Sequence, residues 1–378
     1  MPSQIWIRRQ LVGFDRVTPT VLCWETHSAA DEWRQGFELI QLTTPFVFDR
    51  GKSRWLHRAR HLLDGNHYAA PAREAKLIRQ HLERTKPKAI LCHFGYSALR
   101  VLPEASRLSI PVIAHFHGLD LSSGLRNRWY RDSLLKYLDR FAQIVTVGSH
   151  QKTWILEQGI APEKVHLIPC GVPVAEFTPP PETLEEKTNT ESFAFVLTSR
   201  LVDWKGVDYS LKAFAEVAER HAAVRLHIIG DGEETENLKA LANELNVADR
   251  VVFHGSQPPE FVHEQMRRSH AFLQHSLDHH TGWNEGFGVS ITEASSTELP
   301  VVVTRCGGIP DQVVDGETGF IVPQRDVSAM AAAMGRLVED RALARRLGVT
   351  GRKHVSEHFD TADQVRKLER VVLEAIGD

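Results

Sequence analysis

Long hydrophobic runs and paired cysteines are the features that this sequence lacks. No uninterrupted apolar stretch in the 378 residues approaches the roughly 18 residues that a membrane-spanning helix needs. The four cysteines, at positions 23, 92, 170 and 306, are widely scattered, which excludes the ligand spacing of a zinc module and a disulfide framework. The N-terminus has no apolar core followed by small residues, so we expect no signal peptide. These absences favour a cytoplasmic protein with buried, reduced thiols.

Net charge is small but unevenly distributed. The whole chain carries a net charge of −3, whereas residues 1–175 contain 24 Lys and Arg against 15 Asp and Glu, a balance of +9. A basic half attracts an anionic partner such as phospholipid or a lipid-linked diphosphate. The alternative is that its basic helices are simply solvated. We expect no nucleic-acid partner, and we expect peripheral contact with an anionic membrane on its cytoplasmic face.

The chain alternates β-rich runs with helical segments, which predicts an α/β fold with parallel sheets. Its length suits two domains. The pattern collapses into a stretch rich in Pro, Glu and Thr at 173–192, which we interpret as a linker, and then restarts. We therefore expect a domain at 1–172, a second domain at 193–358, and doubly wound, Rossmann-like sheets facing each other across a cleft. Ligands bind such sheets at the carboxyl ends of the strands. The predicted strands cover 19–24, 88–94, 111–117, 143–148, 165–169, 193–200, 224–230, 250–255, 270–276 and 300–304.

The segment Asn284 to Ala294, NEGFGVSITEA, carries the strongest chemical signal. Glu285 and Glu293 stand eight positions apart, separated by glycines and an apolar run. Glycines just before a helix let backbone N–H groups approach an anion closely. A carboxylate on each side of that anion can hold hydroxyl groups, which suits a sugar nucleotide. The diphosphate would lie in the middle, between the sugar and the ribose.

Two cations follow the first strand of the second half. Arg200 and Lys205 lie in one predicted strand-to-helix loop, where they can neutralise a diphosphate leaving group as its charge grows. The alternative is a pair of surface cations. The nearby turn Gly230-Asp231-Gly232 resembles a dinucleotide fingerprint with one glycine missing, so it is weak evidence for a nicotinamide cofactor. There we expect Asp231 to cap a helix.

Three histidines end two predicted strands of the first half. Alternation places His115 and His117 on the same face of one strand, and His93 ends the neighbouring strand. A histidine at a strand tip faces a ligand cleft. Three histidines suggest zinc, yet no nearby Cys, Asp or Glu completes a ligand set, so we expect no metal. We expect the run 278–280, Asp-His-His, to be exposed or at the rim of a site, and the segment 306–323 to be mainly structural.

Together these motifs resemble family 4 of the retaining glycosyltransferases, which have the GT-B fold. The likeness covers nearly the whole chain: EGFGVSITE matches the family's E-x7-E motif, and SRLVDWKG supplies its Arg and Lys. GDGE, VVFHGS, GGIPDQVVDGETGFIVP and PCGV match in order. HFG at 93–95 and HFHGLD at 115–120 resemble the branch that makes bacterial exopolysaccharides such as colanic acid and amylovoran.

The resemblance implies a role for each matched residue. Glu285 would hold the hydroxyls of the donor sugar and Glu293 those of the ribose, while Gln257 would lie near the base. His117 would sit beside the transferred sugar on the acceptor side. The C-terminal segment 359–378 would be a helix crossing back to the first domain. The diphosphate would be held by Arg200, Lys205 and the backbone amides of Gly286, Phe287 and Gly288.

The implied enzyme is a metal-independent, retaining hexosyltransferase without a cofactor. It would move a sugar from a UDP- or GDP-sugar to an acceptor hydroxyl, with a lipid-linked glycan of cell-surface polysaccharide synthesis as the expected acceptor. A soluble acceptor and a non-catalytic nucleotide-sugar-binding protein are the alternatives, and a nicotinamide dehydrogenase is a further one. The chain departs from the family at its start, where a first strand and a glycine-rich loop are expected but the sequence reads MPSQIWIRRQL.

Overall fold

The computed structural model describes residues 5–24, 38–42, 65–179 and 192–377. Within these residues the strands are β1 (Thr20–Cys23), β2 (Glu38–Gln41), β3 (Ile90–His93), β4 (Val112–Phe116), β5 (Gln143–Thr146), β6 (Val165–Leu167), β7 (Phe193–Thr198), β8 (Val224–Ile229), β9 (Val251–Phe253), β10 (Ala271–Gln274), β11 (Val301–Thr304) and β12 (Gly319–Val322). The helices are α1 (Ile5–Val12), α2 (Ala72–Thr85), α3 (Gly95–Arg107), α4 (Arg128–Tyr137), α5 (Ser149–Glu157), α6 (Val207–Arg220), α7 (Thr235–Glu244), α8 (Pro259–Arg268), α9 (Val289–Ser296), α10 (Val327–Glu339), α11 (Arg341–His358) and α12 (Thr361–Ala375).

The α/β class and all ten predicted strands are confirmed, each to within a few residues of its expected ends. Two strands, β2 and β12, were not predicted. Both are four residues long, and β12 lies inside a glycine-rich segment that we had interpreted as mainly structural. In β2 only Leu39 and Ile40 are apolar, and β12 begins at a glycine within a segment rich in turn residues, so neither shows a clear strand pattern.

Contacts divide the chain into two compact units, Met1–Pro169 with Thr361–Asp378, and Cys170–Asp360. The domain boundaries expected at 172, 192 and 358 remain predictions. Residues 180–191 of the expected linker lie outside the described part of the chain. The four cysteines are free thiols, three of them buried.

The first unit contains a four-stranded parallel sheet in the order β3-β4-β5-β6 and a separate parallel pair, β1-β2. Central strand β4 is buried along its whole length, as expected for a parallel strand covered on both faces. Val112, Ala114 and Phe116 point into one apolar core. Ile113, between them, points into a second core with Leu368 of helix α12. The C-terminal helix therefore covers the opposite face of this sheet.

The second unit is built on a six-stranded parallel sheet in the order β12-β11-β10-β7-β8-β9. Its central strand shows the same alternation, because Phe195 and Leu197 face one core while Val196 faces another. Helices α6 and α10 supply much of the first core, and α9 contributes Ile291 and Ala294 to the other. The sheet is thus doubly wound, and the loops at the carboxyl ends of β7, β10 and β11 lie along one edge.

None of the helices in the described ranges is long and apolar enough to cross a membrane.

Candidate active site

The loop after β7 brings Lys205 to the carboxyl end of strand β10. A short 3₁₀ turn, Asp203–Lys205, ends at Gly206, whose backbone is left-handed with φ 56°. A Cβ atom at this glycine would lie 2.1 Å from the carbonyl oxygen of His275, so no other residue fits without moving backbone. This close approach sets the Lys205 side chain beside the end of β10.

The Glu285 carboxylate is the centre of a polar cluster at this edge. Its Oε2 accepts hydrogen bonds from Lys205 Nζ at 2.5 Å, Gln274 Nε2 at 3.0 Å and Ser276 Oγ at 3.1 Å. The lysine and glutamate side chains are 18% and 14% exposed, so both are mostly but not completely buried. The Oε1 atom of Gln274 in turn accepts a hydrogen bond from Ser290 Oγ at 3.0 Å. These contacts orient the carboxylate and partly offset its charge.

The backbone behind Glu285 is held by the loop after β11. Gly308 N donates to the carbonyl oxygen of Glu285 at 2.8 Å. The preceding Gly307 has φ 49°, and a Cβ there would lie 2.0 Å from the same oxygen. The glycine pair, which we had interpreted as structural, therefore fixes the backbone that carries the central carboxylate.

The glycine-rich turn Gly286–Gly288 is buried and leads directly into helix α9. The side chain of Phe287 packs on Phe359, with ring centroids 5.7 Å apart. Helix N-termini present unpaired N–H groups and a positive dipole end. This turn lies immediately after the carboxylate, so Glu285 and the helix start are joined in one local element. Beside it lies Gln312, 1% exposed, whose side-chain amide makes no hydrogen bond within the described residues.

The other predicted donor-site residues are less closely tied to this cluster. Arg200 is exposed, and its guanidinium carbon lies 5.7 Å from the ring centre of Trp204. That indole stacks on Trp283 with centroids 4.8 Å apart. Glu293 is half-buried on helix α9. Gln257 is exposed, and its Nε2 donates to the carbonyl of His254 at 2.7 Å. The roles expected for these residues remain predictions.

Of two expectations for this unit, one is confirmed and the other is wrong. The 278–280 run is exposed at Asp278 and His280, as expected, while the His279 side chain is 11% exposed and lies 2.8 Å from Asp203 Oδ2. Asp231 does not cap helix α7, because the cap position falls at Glu234. Instead Asp231 Oδ1 accepts from Thr235 Oγ1 and Gly232 N, both at 2.8 Å, and these bonds lower the pKa of its carboxyl. The aspartate therefore stabilises the turn that precedes the helix and does not cap the helix.

In the first unit the three histidines converge on one face of the sheet. His93 pairs with His115 across β3 and β4, and its Nδ1 lies 3.0 Å from His117 Nε2. The rings of His115 and His117 have centroids 4.1 Å apart. Burial lowers the pKa of His93 to about 4 and also lowers the pKa values of His115 and His117. All three rings are therefore neutral near pH 7.

Asp120, which is 1% exposed, holds the turn that carries His117. Its Oδ1 accepts from the backbone N–H groups of His117 and Gly118, and its Oδ2 from that of Gly95, all at 3.0 Å. Burial raises the pKa of this carboxyl, while the three backbone donors oppose that shift. The aspartate thereby ties the tip of β4 to the start of helix α3.

Two family models match the chain in succession. Residues 21–176 match the model described as Glycosyltransferase Family 4, and residues 182–354 match the model described as Glycosyl transferases group 1. The chain belongs to the family 4 glycosyltransferases. The Lys205–Glu285 cluster lies within the second matched segment, and the three histidines lie within the first.

Relatives of this glycosyltransferase chain are named for different substrates. A GDP-mannose-dependent alpha-(1-6)-phosphatidylinositol monomannoside mannosyltransferase of Mycolicibacterium smegmatis is 34% identical over 190 residues, 49% of this chain and 50% of the relative. A putative colanic acid biosynthesis glycosyltransferase, WcaL of Salmonella typhimurium, is 26% identical over 74% of this chain and 68% of the relative. The chain thus aligns with about half of the first of these relatives.

The fold is that of solved glycosyltransferases. Alr3699/HepE of Anabaena, solved in complex with UDP and glucose, superposes with a TM-score of 0.78 at 17% identity, covering 98% of this chain and 96% of that one. With two Rossmann-like units of parallel sheet, this glycosyltransferase chain has the GT-B fold. At that identity the likeness bears on the fold alone.

Sequence reasoning missed the residues that support the predicted ones. Gln274 and Ser276, which bond Glu285, lie at the end of β10 in a run that reads as ordinary buried strand. Polar residues in an otherwise apolar strand end are the signal that points to them. Gln312 has no such signal, because a single polar residue in a loop gives no indication of its burial. Only the packing shows that its amide is buried.

Proposed function

We propose that this chain transfers a hexose from a nucleotide-diphosphate sugar to an acceptor hydroxyl, with retention of the anomeric configuration. The observation that carries the proposal is the Lys205–Glu285 contact of 2.5 Å beside the buried Gly286–Gly288 turn. It places one cation, one oriented carboxylate and a helix N-terminus within a single polar cluster. That combination suits a ligand with an anionic diphosphate and a hydroxyl-rich sugar.

Each residue has a separate task in this proposal. Glu285 accepts hydrogen bonds from the donor sugar's hydroxyls, and Gln274 and Ser276 hold the carboxylate in place for it. Lys205 and Arg200 neutralise the diphosphate with the help of the amides of Gly286, Phe287 and Gly288. Glu293 accepts from the ribose hydroxyls, and the backbone near Gln257 borders the base. His117 contacts the transferred sugar on the acceptor side.

The proposed reaction breaks the bond between the anomeric carbon and the diphosphate oxygen and forms one to the acceptor oxygen on the same face. The acceptor's proton passes to the departing diphosphate, so atoms and charge balance. Positive charge preorganised at a leaving group stabilises the transition state where negative charge develops. Because Lys205 and Arg200 supply that charge, we propose that transfer needs neither a divalent ion nor a cofactor.

The donor and acceptor are proposed from the relatives' names. One relative is described as GDP-mannose-dependent and acts on a phosphatidylinositol mannoside, and a solved neighbour contains UDP. Another relative is described as acting in colanic acid biosynthesis. We propose a UDP- or GDP-sugar as donor and a lipid-linked glycan of cell-surface polysaccharide synthesis as acceptor. The net charge of +9 in residues 1–175 supports peripheral contact with an anionic membrane on its cytoplasmic face.

A nucleotide screen followed by a transfer assay tests the proposal. UDP, GDP and their sugars are added to the full chain, and the ligand that raises the melting temperature most is used as the donor. We expect Glu285→Gln to reduce turnover by roughly 10²- to 10³-fold, in the range of losing one oriented polar group in an active site. Lys239→Met, in the exposed pair of Lys239 with Glu236, is the matched control and should retain turnover. Unchanged turnover in Glu285→Gln contradicts the assigned role.

The two alternatives predict different results. A non-catalytic binding protein shows a nucleotide-dependent rise in melting temperature but no turnover of any donor. A transferase with a soluble acceptor shows turnover without vesicle binding. Co-sedimentation with anionic vesicles at low and high salt separates that case from membrane association, since attraction between exposed charges weakens as salt rises.

A further inference from the structure

The three histidines of the first unit form a cluster that the proposed transfer does not fully use. Within the described residues, one group of His, Cys, Asp and Glu side chains brings three potential ligand atoms within 4.8 Å of one another, and it consists of His93, His115 and His117. Two of them alternate along β4, and the third joins them because parallel pairing sets His93 beside His115. The cluster therefore depends on strand register, not on spacing in the sequence.

His115 is a member of this cluster that has no role in the proposed sugar transfer. Its side chain is 0% exposed, and neither ring nitrogen has a hydrogen-bond partner in the described structure. A buried polar group without a partner is costly, and such a group in a native fold points to an unseen water or ion. The neighbouring side chains are two further imidazoles, so three nitrogen lone pairs are available within a small volume, which suits an ion that prefers nitrogen ligands.

We propose that His93, His115 and His117 form a binding site for a divalent transition metal of the zinc class. Zinc takes three histidines plus a water or substrate in sites with an open position, with Zn–N distances of about 2.0–2.1 Å. Tetrahedral ligands at that distance lie about 3.3 Å apart, and His93 Nδ1 and His117 Nε2 are 3.0 Å apart. No carboxylate or thiolate ligand is needed, which removes our sequence-based objection to a metal.

Neutral imidazole is the form of histidine that binds metal. Burial lowers the pKa values of all three rings, so no proton needs to leave them near pH 7. Imidazole ligands suit Zn²⁺, Cu²⁺, Ni²⁺ and Co²⁺, whereas Mg²⁺ and Ca²⁺ prefer oxygen. The site is therefore expected to discriminate between these two groups of ions.

A metal ion bound at the three histidines would inhibit sugar transfer. This consequence rests on the proposed function. A metal held by His117 removes that imidazole from the acceptor side of the transferred sugar. The metal-free protein is then the active form, and a transition metal bound at this site acts as an inhibitor. This is consistent with donor chemistry that relies on Lys205 and Arg200 for positive charge.

Cobalt titration of the full chain tests the site directly. After treatment with a chelator, the protein is titrated with Co²⁺, and the visible d–d absorption of four-coordinate Co²⁺ is recorded. We expect one equivalent to bind with this spectrum, Zn²⁺ to displace it, and Mg²⁺ to leave it unchanged. Absence of the four-coordinate spectrum, or displacement by Mg²⁺, overturns the proposal.

Two variants assign the spectrum to these residues. We expect His115→Thr and His93→Gln each to weaken binding by at least the roughly 10- to 100-fold that loss of an outer-sphere partner costs. The control is His227→Gln, in the pair whose His227 Nδ1 and His254 Nε2 are also 3.0 Å apart but which has no third ligand among the described residues. Circular dichroism identifies any variant that fails to fold. Binding that survives in both folded variants, or is lost in the control, contradicts the assignment.

Transfer is measured separately in the chelator-treated protein. Turnover without metal, combined with no cobalt spectrum, overturns the metal site and leaves the proposed function standing. A cobalt spectrum without turnover supports the metal site and counts against the proposed function.

Discussion

Lys205 Nζ lies 2.5 Å from Glu285 Oε2, although the two residues are 80 positions apart in the chain. The left-handed turn at Gly206 brings the lysine to the end of β10, and the Gly307-Gly308 pair holds the backbone of the glutamate. Both side chains are mostly buried, so their attraction is screened less than that of a surface pair.

A double-mutant cycle measures this coupling. We expect Lys205→Met and Glu285→Gln, singly and together, to give a coupling free energy of about 1–3 kcal/mol in urea denaturation, because the pair is mostly buried. The exposed pair Lys239–Glu236 should give no more than about 0.5 kcal/mol. Equal coupling free energies in the two pairs would contradict the prediction that burial strengthens the Lys205–Glu285 interaction.

Gln312 is predicted to lower the stability of the free protein and to contribute to ligand binding. Its amide is buried without a partner beside the Gly286–Gly288 turn, so Gln312→Met should raise the free energy of unfolding by about 1–2 kcal/mol. If the nucleotide sugar uses that amide, the same variant binds it about tenfold more weakly, a loss of roughly 1.4 kcal/mol. Thermal melts with and without nucleotide measure both effects.

Gln151→Met is the matched control for that variant. Gln151 is also 1% exposed, but its Oε1 accepts from Val147 N at 3.1 Å. The change therefore leaves a buried N–H without a partner and should lower the melting temperature. A fall in melting temperature for Gln312→Met as well would show that the Gln312 amide is satisfied in the folded protein.

Asp120→Asn is predicted to loosen the turn that carries His117. The asparagine can keep one oxygen for two backbone donors, but its NH₂ group then faces the N–H of Gly95. We expect a loss of about 1.5–3 kcal/mol, the range for a hydrogen bond to a charged group. Asp132→Asn, at an exposed aspartate, should change stability little. Urea denaturation of the two variants makes the comparison.

His275 is predicted to make the fold sensitive to acid. It is 0% exposed, its Nε2 accepts from Arg325 N at 2.9 Å, and burial lowers its pKa to about 4. Asp208 and Asp326 oppose this shift, and Arg325 adds to it. The unfolded chain takes up a proton near pH 6.5 and the folded chain only near pH 4, so stability is full above pH 6.5 and falls between those values.

By linkage, His275 alone lowers the free energy of unfolding by about 2 kcal/mol when the pH falls from 7 to 5. Urea midpoints at the two pH values measure the loss. His275→Gln removes the titrating group, so its midpoint should fall less over the same range. An equal fall in both proteins would assign the acid sensitivity to other groups.

Much of the fold follows from local patterns. Runs such as Val112–Phe116 predict buried parallel strands because their residues suit a sheet covered on both faces. The position of Lys205 at a strand's carboxyl end also follows from the order of its elements. The strand Gly319–Val322 does not, because it lies in a glycine-rich segment and is held in place by its pairing with β11.

The sequence by itself determined the α/β class and the succession of strands and helices along the chain, because alternation and turn chemistry act over a few residues. It also placed Arg200 and Lys205 in a loop that follows a strand. Tertiary structure decided which of these groups meet. The Lys205–Glu285 contact, the pairing of His93 with His115 and the isolation of the Gln312 amide depend on strand register and on close backbone approaches at Gly206 and Gly307. Those distances are set by packing between segments far apart in the chain, which spacing along the sequence does not record.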